Sequence, residues 1–141
     1  MLETCKSENY EELIRLLDAV RYEVFSLTIT ELQFFKISDL FDYLPNLAFL
    51  KLTYGAKHVG MSYERPMFGM KMSDAQNFSK CLRTTTSLTH LALPGNLIDD
   101  DLIKILMQHM MLNKTISQLE LNHNKIGNSG ARKIAKFILQ T

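Results

Sequence analysis

Between Leu88 and Ile126 the chain writes one short pattern twice. Leu88, Leu91, Leu93, Asn96 and Ile98 are answered by Ile116, Leu119, Leu121, Asn124 and Ile126, and every pair is 28 residues apart (116 − 88, 119 − 91, 121 − 93, 124 − 96, 126 − 98). Such a fixed offset makes each copy one structural unit that buries its apolar face against the next copy. Leu91 and Leu93 alternate as a short half-buried strand requires, with Leu88 and Ile98 closing the arch on either side. Asn96 and Asn124 stand where a side-chain amide satisfies the backbone of neighbouring turns, which stacking would otherwise bury unpaired.

The spacing L-x-x-L-x-L-x-x-N-x-L is the leucine-rich-repeat consensus, in the length class with a helix in each unit. It predicts an α/β solenoid of about four repeats, with parallel strands on the concave side and helices on the convex side. Earlier copies are weaker. Val24, Leu27 and Ile29 keep the spacing, with Leu32 in place of the asparagine; Leu47, Leu50 and Leu52 follow, with Gly55 in its place. From Leu47 to Leu88 is 41 residues, thirteen more than 28. The surplus falls in Gly55–Met72, where three glycines and Pro66 argue against a continuous helix. Tyr63, Met67, Phe68 and Met70 are too apolar for a solvated loop. They fit either an ordered loop lying on the solenoid edge or a partner-docking lobe. The expected organisation is an N-terminal helical cap over 1–22 and a repeat domain over 23–141 with an inserted loop at 55–72.

The helices have local signatures. Ser7 before Glu8, Glu11 and Glu12 predicts a helix over about 8–21, its apolar side being Tyr10, Leu13, Ile14, Leu16, Leu17 and Val20. Ser38 is expected to cap a short helix that Pro45 ends, and Ser73-Asp74 to cap the helix containing Ala75, Phe78, Cys81 and Leu82. Asp99, Asp100 and Asp101 read as helix capping, since they lack the alternating ligands of a calcium loop. The last helix is expected to bury Ala131, Ile134, Ala135 and Ile138. It also offers Phe137, Ile138 and Leu139 to an end that another chain or further repeats are expected to cover.

No constellation for chemistry emerges. His58, His90, His109 and His123 have no metal-ligand spacing, Cys5 and Cys81 lie apart as reduced thiols, and no glycine-rich phosphate cradle or nucleophile elbow is present. No catalytic residue, metal or cofactor is expected. The 16 basic and 15 acidic residues leave a net charge near +1, which argues against bulk attraction to nucleic acid or a membrane. Lys125, Arg132, Lys133 and Lys136 cluster on the last helix as a charged outer face. With no apolar run near ~20 residues and no secretory signal, the expectation is an intracellular, soluble protein.

Alternation gives a candidate surface instead. If Leu91 and Leu93 point inward, His90, Ala92 and Pro94 face the concave side. Ser26, Thr28 and Thr30; Phe49, Lys51 and Thr53; and Gln118, Glu120 and Asn122 do likewise. The partner-binding candidates are Phe49, Lys51, His90, Gln118, Glu120 and Asn122 on this face, Tyr63, Arg65 and Phe68 in the insertion, and Phe137 and Ile138 at the open end.

Several segments go beyond generic repeats: Leu52-Thr53-Tyr54-Gly55-Ala56-Lys57, Gly60-Met61, Phe68-Gly69-Met70, Asp99-Asp100-Asp101, and the run from Asn124 to Arg132. From about Leu27 to its end the chain resembles the T-complex-associated testis-expressed leucine-rich-repeat family, the fifth subunit of the nexin–dynein regulatory complex. The resemblance implies a non-catalytic axonemal subunit of motile cilia and flagella. There it would contact other subunits of the complex within the linker between doublet microtubules and restrain dynein-driven sliding. The alternative is a soluble leucine-rich-repeat inhibitor or adaptor that binds a cytosolic protein.

Overall fold

A computed structural model describes residues 2–32, 36–55 and 69–140, and gives the backbone alone for residues 2–8 and Glu31. Its elements are α1 (Leu2–Ala19), β1 (Ser26–Leu32), α2 (Ile37–Tyr43), β2 (Phe49–Tyr54), α3 (Met72–Thr84), β3 (His90–Ala92), α4 (Asp100–Met110), β4 (Gln118–Glu120) and α5 (Asn128–Gln140). The strands form one parallel sheet in the order β1-β2-β3-β4. Successive parallel strands need a crossover, and α2, α3 and α4 supply those helices, with α5 following β4; α2 to α5 pack against one another in sequence. The result is an α/β protein compatible with a solenoid.

The 28-residue offset reappears as sheet register. Leu91 lies beside Leu119 and His90 beside Gln118. Leu50 and Leu52 of β2 continue the same apolar columns, with Leu27 and Ile29 beside them on β1. Leu50, Leu52, Leu88, Leu91, Leu93 and Ile98 are fully enclosed, together with Phe78, Leu82, Ile103 and Leu106 from the helices. Each such side chain contributes roughly 1.5–3 kcal/mol of hydrophobic burial.

Polar groups repeat as regularly as the leucines. The Phe25 carbonyl accepts from the amides of both Ala48 and Phe49, the Ala48 carbonyl from Thr89 and His90, and the Thr89 carbonyl from Ser117 and Gln118. The Ser87 hydroxyl donates to the Leu47 carbonyl at 2.9 Å, and the Thr115 hydroxyl to the Leu88 carbonyl at 2.7 Å. Asn96 acts as expected: its amide donates to the Leu52 carbonyl at 2.8 Å, and its oxygen accepts from the Tyr54 amide at 2.7 Å. Asn124 repeats the device one strand later. It donates to the Leu93 carbonyl at 2.8 Å and accepts from the amides of Asn96 at 2.9 Å and Ile98 at 3.1 Å.

Helix starts differ from expectation. α1 begins at Leu2, not near Ser7, because nothing between Leu2 and Asn9 breaks a helix and an interior serine costs only tenths of a kcal/mol. Among the described side chains of α1 only Leu17 is buried, whereas Leu13 and Leu16, and Val20 just after the helix, are exposed; its described residues pack on α2. Ser38 is not a cap: the cap position of α2 is Lys36, which places Ser38 in the first turn. Ser73 is not one either. α3 starts at Met72, and the Asp74 carboxylate reaches back to the Lys71 amide at 2.9 Å. Asp99 does cap α4, accepting from the Leu102 amide at 3.0 Å.

The last helix is rotated from its expected setting. Gly130 and Phe137 are its buried residues, with Ile134 partly covered, while Ala131, Ala135 and Ile138 are exposed. Gly130 sits against the neighbouring segment so closely that a Cβ would lie 2.5 Å from Asp100 Oδ1. The same carboxylate accepts from the Gly127 amide at 2.6 Å. α5 has no acid of its own in its first turn, so Asp100 provides the negative charge at its N-terminus.

Candidate docking surface

The register lines side chains into rows across the strand face opposite the core. Ser26, Phe49, His90 and Gln118 form one row, and Thr28, Lys51, Ala92 and Glu120 the next. Neighbouring strands are spaced by ~4.8 Å, so the backbone positions of Lys51 and Glu120, two strands apart and of opposite charge, lie about 10 Å from each other. A third row is tied by backbone: the Thr53 hydroxyl donates to the Pro94 carbonyl at 3.2 Å, and Gly95 N–H to the Asn122 carbonyl at 3.1 Å.

At the centre of the face His90 is held from two sides. Its Nε2 lies 2.7 Å from Glu120 Oε1, and an ionised carboxylate only accepts, so that nitrogen carries the hydrogen. The Phe49 ring meets the imidazole edge-on, with centroids 4.6 Å apart at 74°. This pair fixes a rigid aromatic contact point on an otherwise hydroxyl-rich face, with the exposed Lys51 ammonium in the next row. Ala92, expected to share the surface, is buried among its longer neighbours. The arrangement offers contact area, one cation, one anion and several hydroxyls. It has no nucleophile paired with a base.

Gln118, Glu120 and Asn122 carry the same face to the β4 edge of the sheet, where all three are exposed, and the other candidates lie elsewhere. Ile138 is 62% exposed and Leu139 86%, on the last helix. Phe137, expected beside them, is only 6% exposed and belongs to the core cluster. Tyr63, Arg65 and Phe68 lie outside the described residues; the insertion is described only at its rims, where Met70 enters the core. Among the described residues no group of three or more histidines, cysteines or acids converges on a metal position, and no helix is long and apolar enough to cross a membrane.

Three groups of residues escape a reading by hydrophobic pattern. Asn113 is buried and closes the end of α3: its amide donates to the carbonyls of Leu82 at 2.8 Å and Thr85 at 3.1 Å, and its oxygen accepts from the Thr115 and Ile116 amides. Its counterpart 28 residues earlier is Thr85, whose hydroxyl accepts from the Leu88 amide, and that shared column was the available signal. The hydroxyls of Ser87 and Thr115 follow the same rule. Asp100 has no such signal, because its partner lies 27 residues on in another helix's turn. Burial also separates the thiol of Cys81 from reaction, pushing its pKa from 9.0 up to about 11 with help from the nearby Asp42 charge.

Comparison with known proteins bears on that family resemblance. No family model matches the chain. It is 48% identical over 56 residues to dynein regulatory complex subunit 5 of Chlamydomonas reinhardtii, covering 40% of this chain and 14% of that protein. To the mouse protein of the same name it is 30% identical over 102 residues, covering 72% of this chain and 20% of the relative. The human protein matches at 28% over 103 residues, with 73% and 21% covered. Its homologues are dynein regulatory complex subunit 5 proteins. They support that family, and the chain spans about a fifth or less of the length of the curated relatives it matches.

Proposed function

We propose that the chain is a non-catalytic subunit of the axonemal dynein regulatory complex, working in cilia or flagella as a leucine-rich-repeat scaffold that other subunits grip. The single observation carrying this reading is the similarity to proteins of that name in an alga and in mammals. The 28-residue offset seen both in sequence and in the β3–β4 register supports the repeat architecture. Under this reading residues 1–22 cap the first repeat and the segment 55–72 is a loop inserted in the repeat domain.

The function follows from rigidity. Phe49 and His90 are fixed by each other and by the sheet, so a partner loses little freedom in ordering them. Docking would use Phe49, Lys51, His90, Gln118, Glu120 and Asn122, with Tyr63, Arg65 and Phe68 contributing from the insertion. A tagged chain expressed in ciliated cells tests the assignment. An axonemal subunit stays with the detergent-extracted axoneme, whereas recovery in the soluble fraction supports the adaptor or inhibitor reading instead. Phe49→Ala combined with Lys51→Glu should lower axonemal retention at least fivefold with an unchanged melting temperature, and full retention would remove this face from the interface.

A further inference from the structure

A net charge near +1 hides an uneven distribution. Residues 1–74 hold 8 basic against 11 acidic side chains, a net −3, and residues 75–141 hold 8 against 4, a net +4. The helices of the second part show where that excess sits. α3, α4 and α5 start at Met72, Asp100 and Asn128, again 28 residues apart, so matched positions lie side by side on neighbouring helices. On the core side Ala75 matches Ile103, Phe78 matches Leu106 and Leu82 matches Met110, and all six are buried. The outer side keeps the same register. Gln76, Lys104 and Arg132 form one exposed row, and Lys80, Gln108 and Lys136 form the next, one helical turn on. α3 packs between α2 and α4, and α4 between α3 and α5, so these positions are exposed because they point away from the sheet.

The two rows carry four cations, two amides and no carboxylate. The acids of the three helices are Asp74, Asp100 and Asp101, all in first turns. Asp74 is taken by the Lys71 amide and Asp100 by the Gly127 amide, which leaves Asp101 at the rim. Among the described residues the ion pairs are Arg21 with Asp18 and His90 with Glu120, and neither involves this face. Cations gathered without counter-charges repel one another, and that repulsion is relieved by any anion lying across them. We propose that the outer face of α3, α4 and α5 binds an extended acidic segment of a partner protein, laid across the three helices so that its carboxylates reach Lys80, Lys104, Arg132 and Lys136. The spacing suits such a segment. Packed helices lie ~8–10 Å apart and an extended chain advances ~3.3 Å per residue, so a carboxylate at every third residue keeps step with the helices.

Two other occupants fit less well. Nucleic acid finds no aromatic side chain in either row on which a base could stack. A long phosphate backbone continuing past α3 would also meet α2, which carries Asp39 and Asp42 and no base. A second copy of this chain would have to bring the acids of its α1 and α2. Of these, Asp39 already accepts from the Tyr10 hydroxyl and Asp18 pairs with Arg21. The resulting head-to-tail contact would not close on itself and would grow with concentration.

The inference rests on the helix register and not on the axonemal assignment. Its test is the fluorescence anisotropy of a labelled peptide of repeated Glu-Ser-Ser titrated with the 141-residue chain at low ionic strength. The peptide should bind, and its analogue with glutamine for glutamate should bind at least tenfold more weakly. Lys80→Gln combined with Lys104→Gln and Arg132→Gln should also weaken binding at least tenfold at an unchanged melting temperature, since all three side chains are exposed. Arg15→Gln combined with Lys36→Gln and Lys114→Gln removes the same charge from exposed positions off this face and should leave binding within twofold. Equal loss in the two triple variants overturns the proposal, because net charge alone would then govern. No binding of the Glu-Ser-Ser peptide, or tighter binding of a single-stranded oligonucleotide of equal charge, overturns it as well. So does self-association of the unaltered chain in sedimentation that the first triple variant abolishes, since the occupant is then a second copy. Axonemal retention is scored in a separate assay, so the functional assignment stands or falls on its own.

Discussion

The β3–α4 and β4–α5 segments carry one pattern at a 28-residue offset, yet only the first is enclosed. Leu91 has a strand on each side and vanishes from the surface; Leu119 has one on a single side and keeps part of its area. Asn96 is buried with bonds to both Leu52 and Tyr54, and Asn124 is only partly so. Position in the stack, more than residue type, sets how much each group contributes to stability. The energy of such a unit is largely an interface energy with its neighbours.

The comparison can be broken by mutating matched positions. Leu91→Ala should cost about 3–4 kcal/mol, through lost transfer energy plus an uncollapsed cavity, and Leu119→Ala about 1–2 kcal/mol less. Equal losses in urea denaturation would show that the two segments are packed alike. Asn96→Ala should cost about 3 kcal/mol, since it strands the Leu52 carbonyl and the Tyr54 amide in the core; Asn124→Ala should cost about half as much, because water reaches its partners. Gly130→Ala should destabilise by about 1–3 kcal/mol through overpacking on Asp100, and Asp100→Ala in the same chain should recover part of that loss. Gly95 and His123 occupy equivalent positions, and both have positive φ, 63° and 58°. His123→Gly should therefore raise stability by about 0.5–1 kcal/mol, while Gly95→Ala lowers it.

The last expected effect concerns pH. The folded state keeps the Cys81 thiol protonated up to about 11, whereas the unfolded chain releases that proton near 9.0. In that window the unfolded state binds fewer protons, so stability declines as pH rises from 9.0 to about 11 and is level below it with respect to this group. Cys81→Ala should flatten the decline. Alkylation of Cys81 at pH 8 should be slow in the native protein and rapid in urea.

How much of this was legible in the residues depends on what each residue answers to. The strand centres and the asparagine ladder were, because Leu91, Leu119, Asn96 and Asn124 answer to a periodicity that the sequence states outright. The helix starts were not, since Lys36 and Lys71 take the cap positions through backbone conformation and only Asp74 reaches back in support. The last helix is the instructive miss. Ala131, Ile134, Ala135 and Ile138 form an apolar stripe at helical spacing, and their counterparts Ile103, Leu106, Met107 and Met110 are all buried in α4. Ala131, Ala135 and Ile138 of that stripe are exposed, whereas Gly130 and Phe137 mark the side that meets α4, with Ile134 between the two and partly covered. Of the strand face, the alternation located Phe49, Lys51, His90 and Glu120, but the His90–Glu120 bond depends on a sheet register that alternation alone does not fix.

The forked acceptance at Phe25, Ala48 and Thr89 pins the strand side of each segment to the one before it. Strands so pinned advance by ~4.8 Å, while helices packed side by side advance by ~8–10 Å. Under the proposed repeat architecture that difference in spacing bends each step toward the strand face that carries Phe49 and His90.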